Sequence, residues 1–249
     1  MQLQPEITAL GDAAVIAKFG TDIDPQTHRR VRALYRALRE RPFEGMIEAV
    51  PAFTSVAVYY DSMAMYRKRI RDRTVMGPIG PEESPFLWVR DILEKLLVGL
   101  ERIEDEDEDV VGIPVCYGGE NGPDLEAVAV RCGLTPEEVV RIHASGTYKV
   151  YMLGFAPGFP YLGGVDPRLA VPRRATPRLF VARGSVGLAG GQTGIYPADS
   201  PGGWQLIGRT PLSLFFPDRT PPTLLRVGQT VKFIPIGKRQ FDEWGKTET

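Results

Sequence analysis

The segment from Gly154 to Gly164 reads GFAPGFPYLGG and combines three aromatic residues, two prolines and four glycines. Proline fixes the backbone angle φ and lowers the entropy of a loop, whereas glycine lets the backbone approach another group closely. Aromatic side chains add rigid apolar area. The segment therefore favours a ligand wall or a partner surface, and a tightly packed corner of a barrel is the alternative.

Two later segments place hydrogen-bonding side chains among small residues. Residues 190–197 read GGQTGIYP, and residues 200–204 read SPGGW. The side chains that can hydrogen-bond there are Gln192, Thr193, Tyr196 and Trp204. Backbone N–H groups at this density, beside amide and hydroxyl groups, favour a site for an amide or a carboxylate. A pair of β-turns that satisfies its own hydrogen bonds is the alternative.

Arginines on a proline-containing stretch are a third feature. Arg173 and Arg174 follow Pro172, and Arg178 follows Pro177. The guanidinium group suits carboxylates and phosphates because it donates two parallel hydrogen bonds. The stretch therefore predicts an anion site, with solvated surface arginines as the alternative.

His143 is the only histidine of the second half and lies at the predicted end of a helix, before Ser145 and Gly146. A helix C-terminus stabilises an imidazolium, so we expect this side chain to be charged. Histidine is also the residue type best suited to acid–base chemistry near neutral pH. His143 is therefore predicted to be either a catalytic group or a structural residue.

Glycine and proline are concentrated in the second half, where 21 of the 27 glycines and 15 of the 22 prolines follow residue 109. Short apolar runs alternate there with turns, which is typical of a closed or nearly closed β-barrel. The predicted strands include Val110–Cys116, Tyr148–Leu153, Leu179–Ala182, Val186–Ala189, Leu212–Phe216, Leu224–Val227 and Val231–Pro235. Two short helices are predicted after the first strand, and the second opens with a Thr135–Glu138 capping box.

The first half alternates strands and helices. Strands are predicted at residues 13–19, 46–50 and 55–60, with helices that begin after Asp24 and after Ser84. This order favours a small α+β sandwich of ferredoxin-like type. Residues 62–83 are expected to form a long loop with one helical turn.

An acidic run separates the two halves. Residues 104–109 are six consecutive Asp or Glu residues, which repel one another and remain solvated. We expect a linker there, between a domain of residues 1–105 and a barrel domain of residues 110–240.

The overall composition excludes several classes of protein. The net charge is −1, so no global field attracts nucleic acid or an anionic membrane. No apolar run is long enough to span a bilayer, and the first residues lack the pattern of a signal peptide. Two cysteines and two histidines make a metal site unexpected, and we expect a cytoplasmic protein with reduced thiols.

The stretch from His143 to Phe216 resembles the family of the 5-oxoprolinase B subunit, also called allophanate hydrolase subunit 1, which includes the histidine kinase inhibitor KipI. The resemblance is carried by YMLGFAPGFPYL at residues 151–162, PR at 172–173 and at 177–178, GSV at 184–186, QTGIYP at 192–197, SPGGW at 200–204 and IGRT at 207–210. Residues 10–14 and 51–55 also match, so the resemblance covers nearly the whole chain.

The resemblance implies a cyclophilin-like barrel without implying prolyl isomerase activity. It implies one polypeptide of an assembly, which acts with a homologous C subunit and an A subunit to open 5-oxoproline to glutamate with ATP hydrolysis. Since the chain has no P-loop, ATP is expected at an interface between subunits. No metal is expected from this chain.

Residue roles are expected from the matching motifs and the residue types. His143, Gln192 and Tyr196 are the candidate catalytic residues. The candidate substrate-binding residues are Arg174, Arg178, Phe155, Phe159 and Thr193. The substrate is expected to be a small-molecule amide.

Two other functions fit the same family. In the first, a KipI-like inhibitor, the aromatic loop binds a sporulation histidine kinase, with its Phe and Tyr side chains as anchors. In the second, the chain is a carboxyltransferase subunit of the allophanate hydrolase or urea carboxylase type.

Overall fold

The computed structural model describes residues 5–72, 80, 83–98 and 109–244. The chain divides into two compact units, Met1–Glu106 and Asp107–Thr249. Within the described residues, six α-helices combine with a closed seven-stranded barrel, which confirms the predicted mixed class and the barrel. The predicted acidic linker lies outside the described residues except for Asp109.

The first unit is a four-stranded antiparallel sheet with helices packed on it. Its elements are β1 (Glu6–Ala9), β2 (Ala14–Lys18), α1 (Pro25–Glu40), β3 (Met46–Pro51), β4 (Ser55–Tyr60), α2 (Ser62–Arg71) and α3 (Pro85–Val98). The strand order is β1-β2-β4-β3. The helices bury Val31, Leu34 and Leu93 against Val15 and Val58 of the sheet, in one apolar core.

Helix α2 departs from the prediction of a loop with one helical turn. Asp61 begins the helix, since its Oδ1 accepts hydrogen bonds from two backbone N–H groups of the first turn at 2.9 and 3.0 Å. Arg69, near the end of α2, is buried and donates two hydrogen bonds of 2.8 and 2.9 Å to Glu83. These bonds hold the pKa of Glu83 at about 2. The helix is thus stabilised by a residue distant in sequence, which local propensity does not reveal.

The second unit contains the barrel. Its strands are β5 (Val110–Tyr117), β6 (Tyr148–Leu153), β7 (Pro160–Gly163), β8 (Arg178–Val181), β9 (Ser185–Ala189), β10 (Gln192–Ile195), β11 (Ser200–Gly202), β12 (Gln205–Arg209) and β13 (Thr230–Pro235). The barrel order is β10-β7-β6-β13-β5-β12-β9, and β8 pairs with β11 outside it. Strands β5 and β13 are parallel, and the other neighbours in the barrel are antiparallel.

Two predicted strands, Leu212–Phe216 and Leu224–Val227, do not form. The segment has only an isolated bridge between Phe215 and Thr223. Three prolines lie in and near the turn between these runs, and proline cannot donate to a strand ladder. The apolar residues still fill the core, since one leucine in each run is buried.

In the part of the second unit that the structure describes, three α-helices accompany the barrel: α4 (Leu125–Cys132), α5 (Pro136–Ser145) and α6 (Lys238–Trp244). Gly133 ends α4 with φ 67°, in the left-handed region that favours glycine. Helix α5 buries Val139 and Ile142 in the main core of the unit. Its packing carries His143 into the interior, next to the barrel strands.

The predicted capping box of α5 is present. Thr135 Oγ1 accepts from the Glu138 N–H at 3.2 Å, and Glu138 Oε2 accepts from the Thr135 N–H at 2.8 Å. We expect Thr135→Ala to lower the free energy of unfolding by about 1 kcal/mol, because an N–H of the first turn loses its acceptor. Urea denaturation measures this change. Thr135→Ser is the control and should recover most of the loss, whereas an unchanged Ala variant would contradict the prediction.

Candidate functional site

The three segments of unusual composition come together in the second unit. Their rings form an aromatic cluster, which consists of Phe155, Phe159, Tyr161, Tyr196 and Trp204. The centroid of Phe159 lies 5.5 Å from that of Phe155, 5.2 Å from that of Tyr196 and 5.5 Å from that of Trp204, each in an edge-to-face arrangement. The aromatic residues of these segments therefore pack around Phe159.

Most of the aromatic cluster is packed rather than open. Phe159, Tyr196 and Trp204 are at most 5% exposed, whereas Phe155 is 65% exposed. Phe155 also has φ 68°, a conformation that non-glycine residues rarely adopt. Gly194 is required by this packing, since a Cβ there would lie 2.9 Å from the Phe159 ring. Phe155 is thus the member of the cluster that presents an aromatic face to solvent.

A second group, the Asp124 cluster, contains Asp124, Arg174 and Arg178. Asp124 is 3% exposed. It receives two hydrogen bonds from Arg178, at 2.7 and 2.9 Å, and one from Arg174 at 3.1 Å. Its Oδ2 also accepts from the Leu206 N–H of β12 at 2.7 Å. The two arginines predicted to bind an anion therefore lie side by side. The Asp124 carboxylate already accepts hydrogen bonds from some of their N–H groups.

Sequence reasoning did not identify Asp124 as a site residue. It lies directly before α4, where an aspartate is expected to cap a helix. Its side chain caps no N–H of α4 and binds the arginines and β12 instead. The local sequence gives no signal for this role, because the arginines lie 50 and 54 residues further along the chain.

The Asp124 cluster and the aromatic cluster adjoin through β12 and the residues before it. The backbone N–H of Arg174 donates to the carbonyl of Gly203 at 2.7 Å. The guanidinium of Arg173 lies 6.0 Å from the ring of Trp204. The sequence from Gly203 to Leu206 therefore joins the packed rings to the buried carboxylate.

His143 lies away from solvent inside the second unit. It is 0% exposed, and its ring stacks on Phe233 with centroids 4.5 Å apart. Its Nδ1 is 2.8 Å from the hydroxyl of Tyr117, and its Nε2 is 3.0 Å from Oγ1 of Thr193. Two of the predicted site residues, His143 and Thr193, are thus hydrogen-bonded to each other.

The hydrogen bonds determine the tautomer of His143. Oγ1 of Thr193 donates its only proton to the carbonyl of Gly187 at 3.0 Å, since a carbonyl accepts only. The Thr193 hydroxyl must therefore accept from Nε2–H of His143. Nδ1 is then unprotonated and accepts from the hydroxyl of Tyr117. His143 is a neutral imidazole with both nitrogens used.

The expectation of a charged His143 at a helix end is wrong. Burial lowers its pKa to about 3, because the cation would lose its hydration. The dipole of the short helix α5 does not offset this loss. At neutral pH the side chain holds its neighbours in place and carries no charge.

The buried His143 predicts a pH dependence of stability. Its folded pKa lies below the value near 6.5 in the unfolded chain, so below pH 6.5 only the unfolded state binds the proton. Stability is therefore complete above pH 6.5 and falls as the pH decreases toward 3. We expect this group to contribute a loss of about 2 kcal/mol between pH 7.5 and pH 5.

Urea denaturation of the protein and of His143→Gln at both pH values measures this contribution. The Gln variant keeps hydrogen-bonding groups but does not titrate, so its loss of stability should be smaller by about 2 kcal/mol. An equal pH dependence in the two proteins would contradict the assignment.

Gln192 and Thr193 face opposite sides of β10, because side chains alternate along a strand. Thr193 points to His143 and is fully buried. Gln192 is half-buried, and its side chain has no hydrogen bond to the residues that the structure describes. Of these two predicted site residues, Gln192 retains free donors and acceptors.

Among the described residues, no three His, Cys, Asp or Glu side chains are grouped to hold a metal ion. Within the same ranges, no helix has the length and apolarity to cross a membrane.

Comparisons with known proteins find relatives that match most of this chain. A family model described as "Carboxyltransferase domain, subdomain C and D" matches residues 5–225. The chain is 48% identical over 241 residues to the 5-oxoprolinase B subunit of Bacillus subtilis (strain 168), covering 97% of each protein. It is 40% identical over 228 residues to the 5-oxoprolinase B subunit of Escherichia coli O157:H7, covering 91% of this chain and 94% of that protein.

A solved structure, that of TTHA0988, has the same fold in a longer chain. It is 38% identical with a TM-score of 0.71, and the match covers 90% of this chain and 40% of that chain. This chain therefore spans less than half of that protein. A more distant relative is a putative urea carboxylase of Emericella nidulans, 25% identical over 217 residues, which cover 80% of this chain and 17% of that protein.

The match of the family model over most of the chain defines its class, the carboxyltransferase domains of subdomain C and D type. Within that class, the relatives matched over nearly their whole length are named as the B subunit of 5-oxoprolinase. The chain belongs to the 5-oxoprolinase B subunit family.

Proposed function

We propose that this chain is the B subunit of an ATP-dependent 5-oxoprolinase, which opens 5-oxoproline to glutamate together with the A and C subunits. The observation that carries the proposal is 48% identity over 97% of both proteins to a protein named as the B subunit of 5-oxoprolinase. The name of that relative implies an assembly of several subunits. The identity of the other subunits is part of the proposal.

The chemistry supports a site shared between subunits. A lactam is stabilised by resonance, so ring opening needs its carbonyl to be activated, and phosphorylation by ATP supplies that activation. Charge that develops on the oxygen needs donors in place. The guanidinium groups of the Asp124 cluster are prepositioned for an anionic group of the substrate, and we propose that ATP binds at an interface with another subunit.

We propose roles for the predicted residues that the geometry supports. Arg174 and Arg178 bind anions as a pair that Asp124 orients, and Gln192 keeps hydrogen-bonding groups available on the face of β10 opposite Thr193. Tyr196 and Phe159 form the packed base of the wall that Phe155 extends to solvent. His143 and Thr193 are buried beneath this surface, where their hydrogen bonds hold the barrel strands in position.

We also propose finer names for the two folds. The first unit is ferredoxin-like, because β2, α1, β3 and β4 follow one another along the chain in the order of that fold. Strand β1 lies at the edge of the sheet, beside β2. The barrel is cyclophilin-like, and the domains comprise residues 1–105 and 110–240. Limited proteolysis tests the boundary, since cleavage between residues 104 and 109 should release two stable fragments.

Reconstitution tests the proposed activity. We expect the purified chain alone to have no 5-oxoprolinase activity, and the chain mixed with the A and C subunits to form glutamate from 5-oxoproline and ATP. The matched control replaces this chain by the relative from Bacillus subtilis. If the control trio is active and the trio with this chain is inactive, the proposal fails.

A second candidate function is a KipI-like inhibitor that binds a histidine kinase. It is favoured by the exposed, conformationally unusual Phe155 and by Leu179 and Phe180, which are 92% and 63% exposed. We expect Phe155→Ala to abolish capture of a sporulation kinase while the fold is retained. Phe159 is buried, so it is not the residue to change in this test. Absence of capture by the unaltered chain removes this candidate.

A further inference from the structure

We propose that a surface depression beside the Asp124 cluster binds the carboxylate and the lactam group of 5-oxoproline. The depression has a volume of about 380 Å³ and lies between α4, the loop before β8 and the start of β12. Its apolar side includes Val128 and Val171, and its polar groups belong to Arg131, Arg174, Thr176 and Gln205. The inference rests on the proposed function and gives the substrate a location.

The loop that forms one wall is held rigidly at several points. The N–H of Arg174 binds the carbonyl of Gly203 at 2.7 Å, and Nε2 of Gln205 donates to the carbonyl of Pro172 at 3.1 Å. Asp124 fixes the guanidinium of Arg174 at 3.1 Å. Prolines on either side of the arginines restrict the backbone further. A wall fixed in this way loses little entropy when a ligand binds.

The charges around the depression favour an anion. Arg174 and Arg178 share the single carboxylate of Asp124, so one positive charge is left over in that cluster. Arg131, on α4, adds a second positive charge at the rim. Glu126 lies on the same helix but does not line the depression. The site therefore has more positive than negative charge before a ligand enters.

Several polar groups of the lining have no partner among the described residues. The guanidinium of Arg131 and the hydroxyl of Thr176 make no hydrogen bond there, and Nε of Arg174 is buried without an acceptor. The side-chain nitrogen of Gln205 donates to the carbonyl of Pro172, and its side-chain oxygen accepts no hydrogen bond in the described part of the chain. These groups provide three donors, of which the Nε of Arg174 is buried, and one acceptor.

The free groups match the functional groups of 5-oxoproline. Its carboxylate suits the guanidinium groups of Arg131 and Arg174, which form charge-assisted hydrogen bonds. The lactam N–H requires an acceptor, which Gln205 Oε1 supplies, and the lactam oxygen requires a donor, which Thr176 supplies. The ring methylenes then contact the apolar side of the depression.

Steady-state kinetics of the complex assembled from this chain and the A and C subunits test the site. We expect Arg131→Gln to raise the KM for 5-oxoproline by about tenfold or more, with little change in kcat or in the KM for ATP. Thr176→Val removes the donor to the reacting lactam oxygen, so we expect it to lower kcat/KM for 5-oxoproline and to leave the KM for ATP unchanged. Arg141→Gln is the matched control, since it removes an exposed arginine from the neighbouring helix α5. A rise in KM that is equal in Arg131→Gln and Arg141→Gln overturns the proposal, as does a rise confined to ATP.

Binding to the chain alone separates this proposal from the proposed function. We expect 5-oxoproline to shift the backbone NMR signals of Ala175 and Thr176, and 2-pyrrolidinone, which lacks the carboxylate, to shift them far less. An active complex with an unchanged KM in Arg131→Gln overturns the site and leaves the function standing. An inactive complex overturns the proposed function. The NMR shifts then test the proposed binding site by themselves, since shifts with 5-oxoproline support it and unchanged signals overturn it.

Discussion

Replacement of Asp124 by alanine is expected to lower the free energy of unfolding of the second unit by about 3–5 kcal/mol. The carboxylate is 3% exposed and accepts hydrogen bonds from Arg174, Arg178 and the Leu206 N–H. Without it, two guanidinium groups repel each other beside an N–H that has lost its acceptor. Removing the buried carboxylate is costly because Arg178 and Arg174, which are 22% and 37% exposed, stay partly desolvated without a partner.

Urea denaturation followed by circular dichroism measures this loss. Asp124→Asn keeps the shape but removes the charge, so it should recover part of the loss through the Leu206 N–H. Asp166→Ala is the matched control, because Asp166 is 32% and its partner Arg168 is 60% exposed, so water solvates the arginine left behind and we expect a change of about 1 kcal/mol. If Asp124→Ala and Asp166→Ala destabilise the protein equally, the Asp124 cluster contributes no more than a surface ion pair.

The barrel is predictable from the sequence because its signals are local. Each strand is a short apolar run between glycines and prolines, and most of these runs form the strands of the closed sheet. Leu179–Ala182 forms a strand outside the barrel, β8. Leu212–Phe216 and Leu224–Val227 form no strand, because nearby prolines remove the N–H groups that a ladder needs. Apolar pattern predicts burial at those positions, and both runs do contribute to the core.

Features that depend on distant partners are not predictable in the same way. Helix α2 depends on Glu83, whose carboxylate accepts hydrogen bonds from the buried Arg69. The role of Asp124 needs arginines that are 50 and 54 residues further along the chain. The charge of His143 depends on burial, which its place at a helix end does not reveal. In each case residue type was informative, and the tertiary environment determined what the residue does.

The aromatic cluster leads to the second large effect. We expect Phe159→Ala to lower the free energy of unfolding by about 3–5 kcal/mol, because it leaves a cavity in a packed group of rings. Phe159 is 1% exposed and makes edge-to-face contacts with Phe155, Tyr196 and Trp204. Such contacts contribute beyond the area they bury. Urea denaturation of the purified variant gives the value.

Phe155→Ala is the control within the same cluster, since its side chain is 65% exposed. We expect it to change stability by less than about 1 kcal/mol, as a mainly exposed side chain loses little on truncation. The two phenylalanines are four residues apart, yet one supports the fold and the other faces a ligand or a partner. Equal losses of stability would show that Phe155 is also structural, and Phe155 could then no longer be assigned to the binding surface.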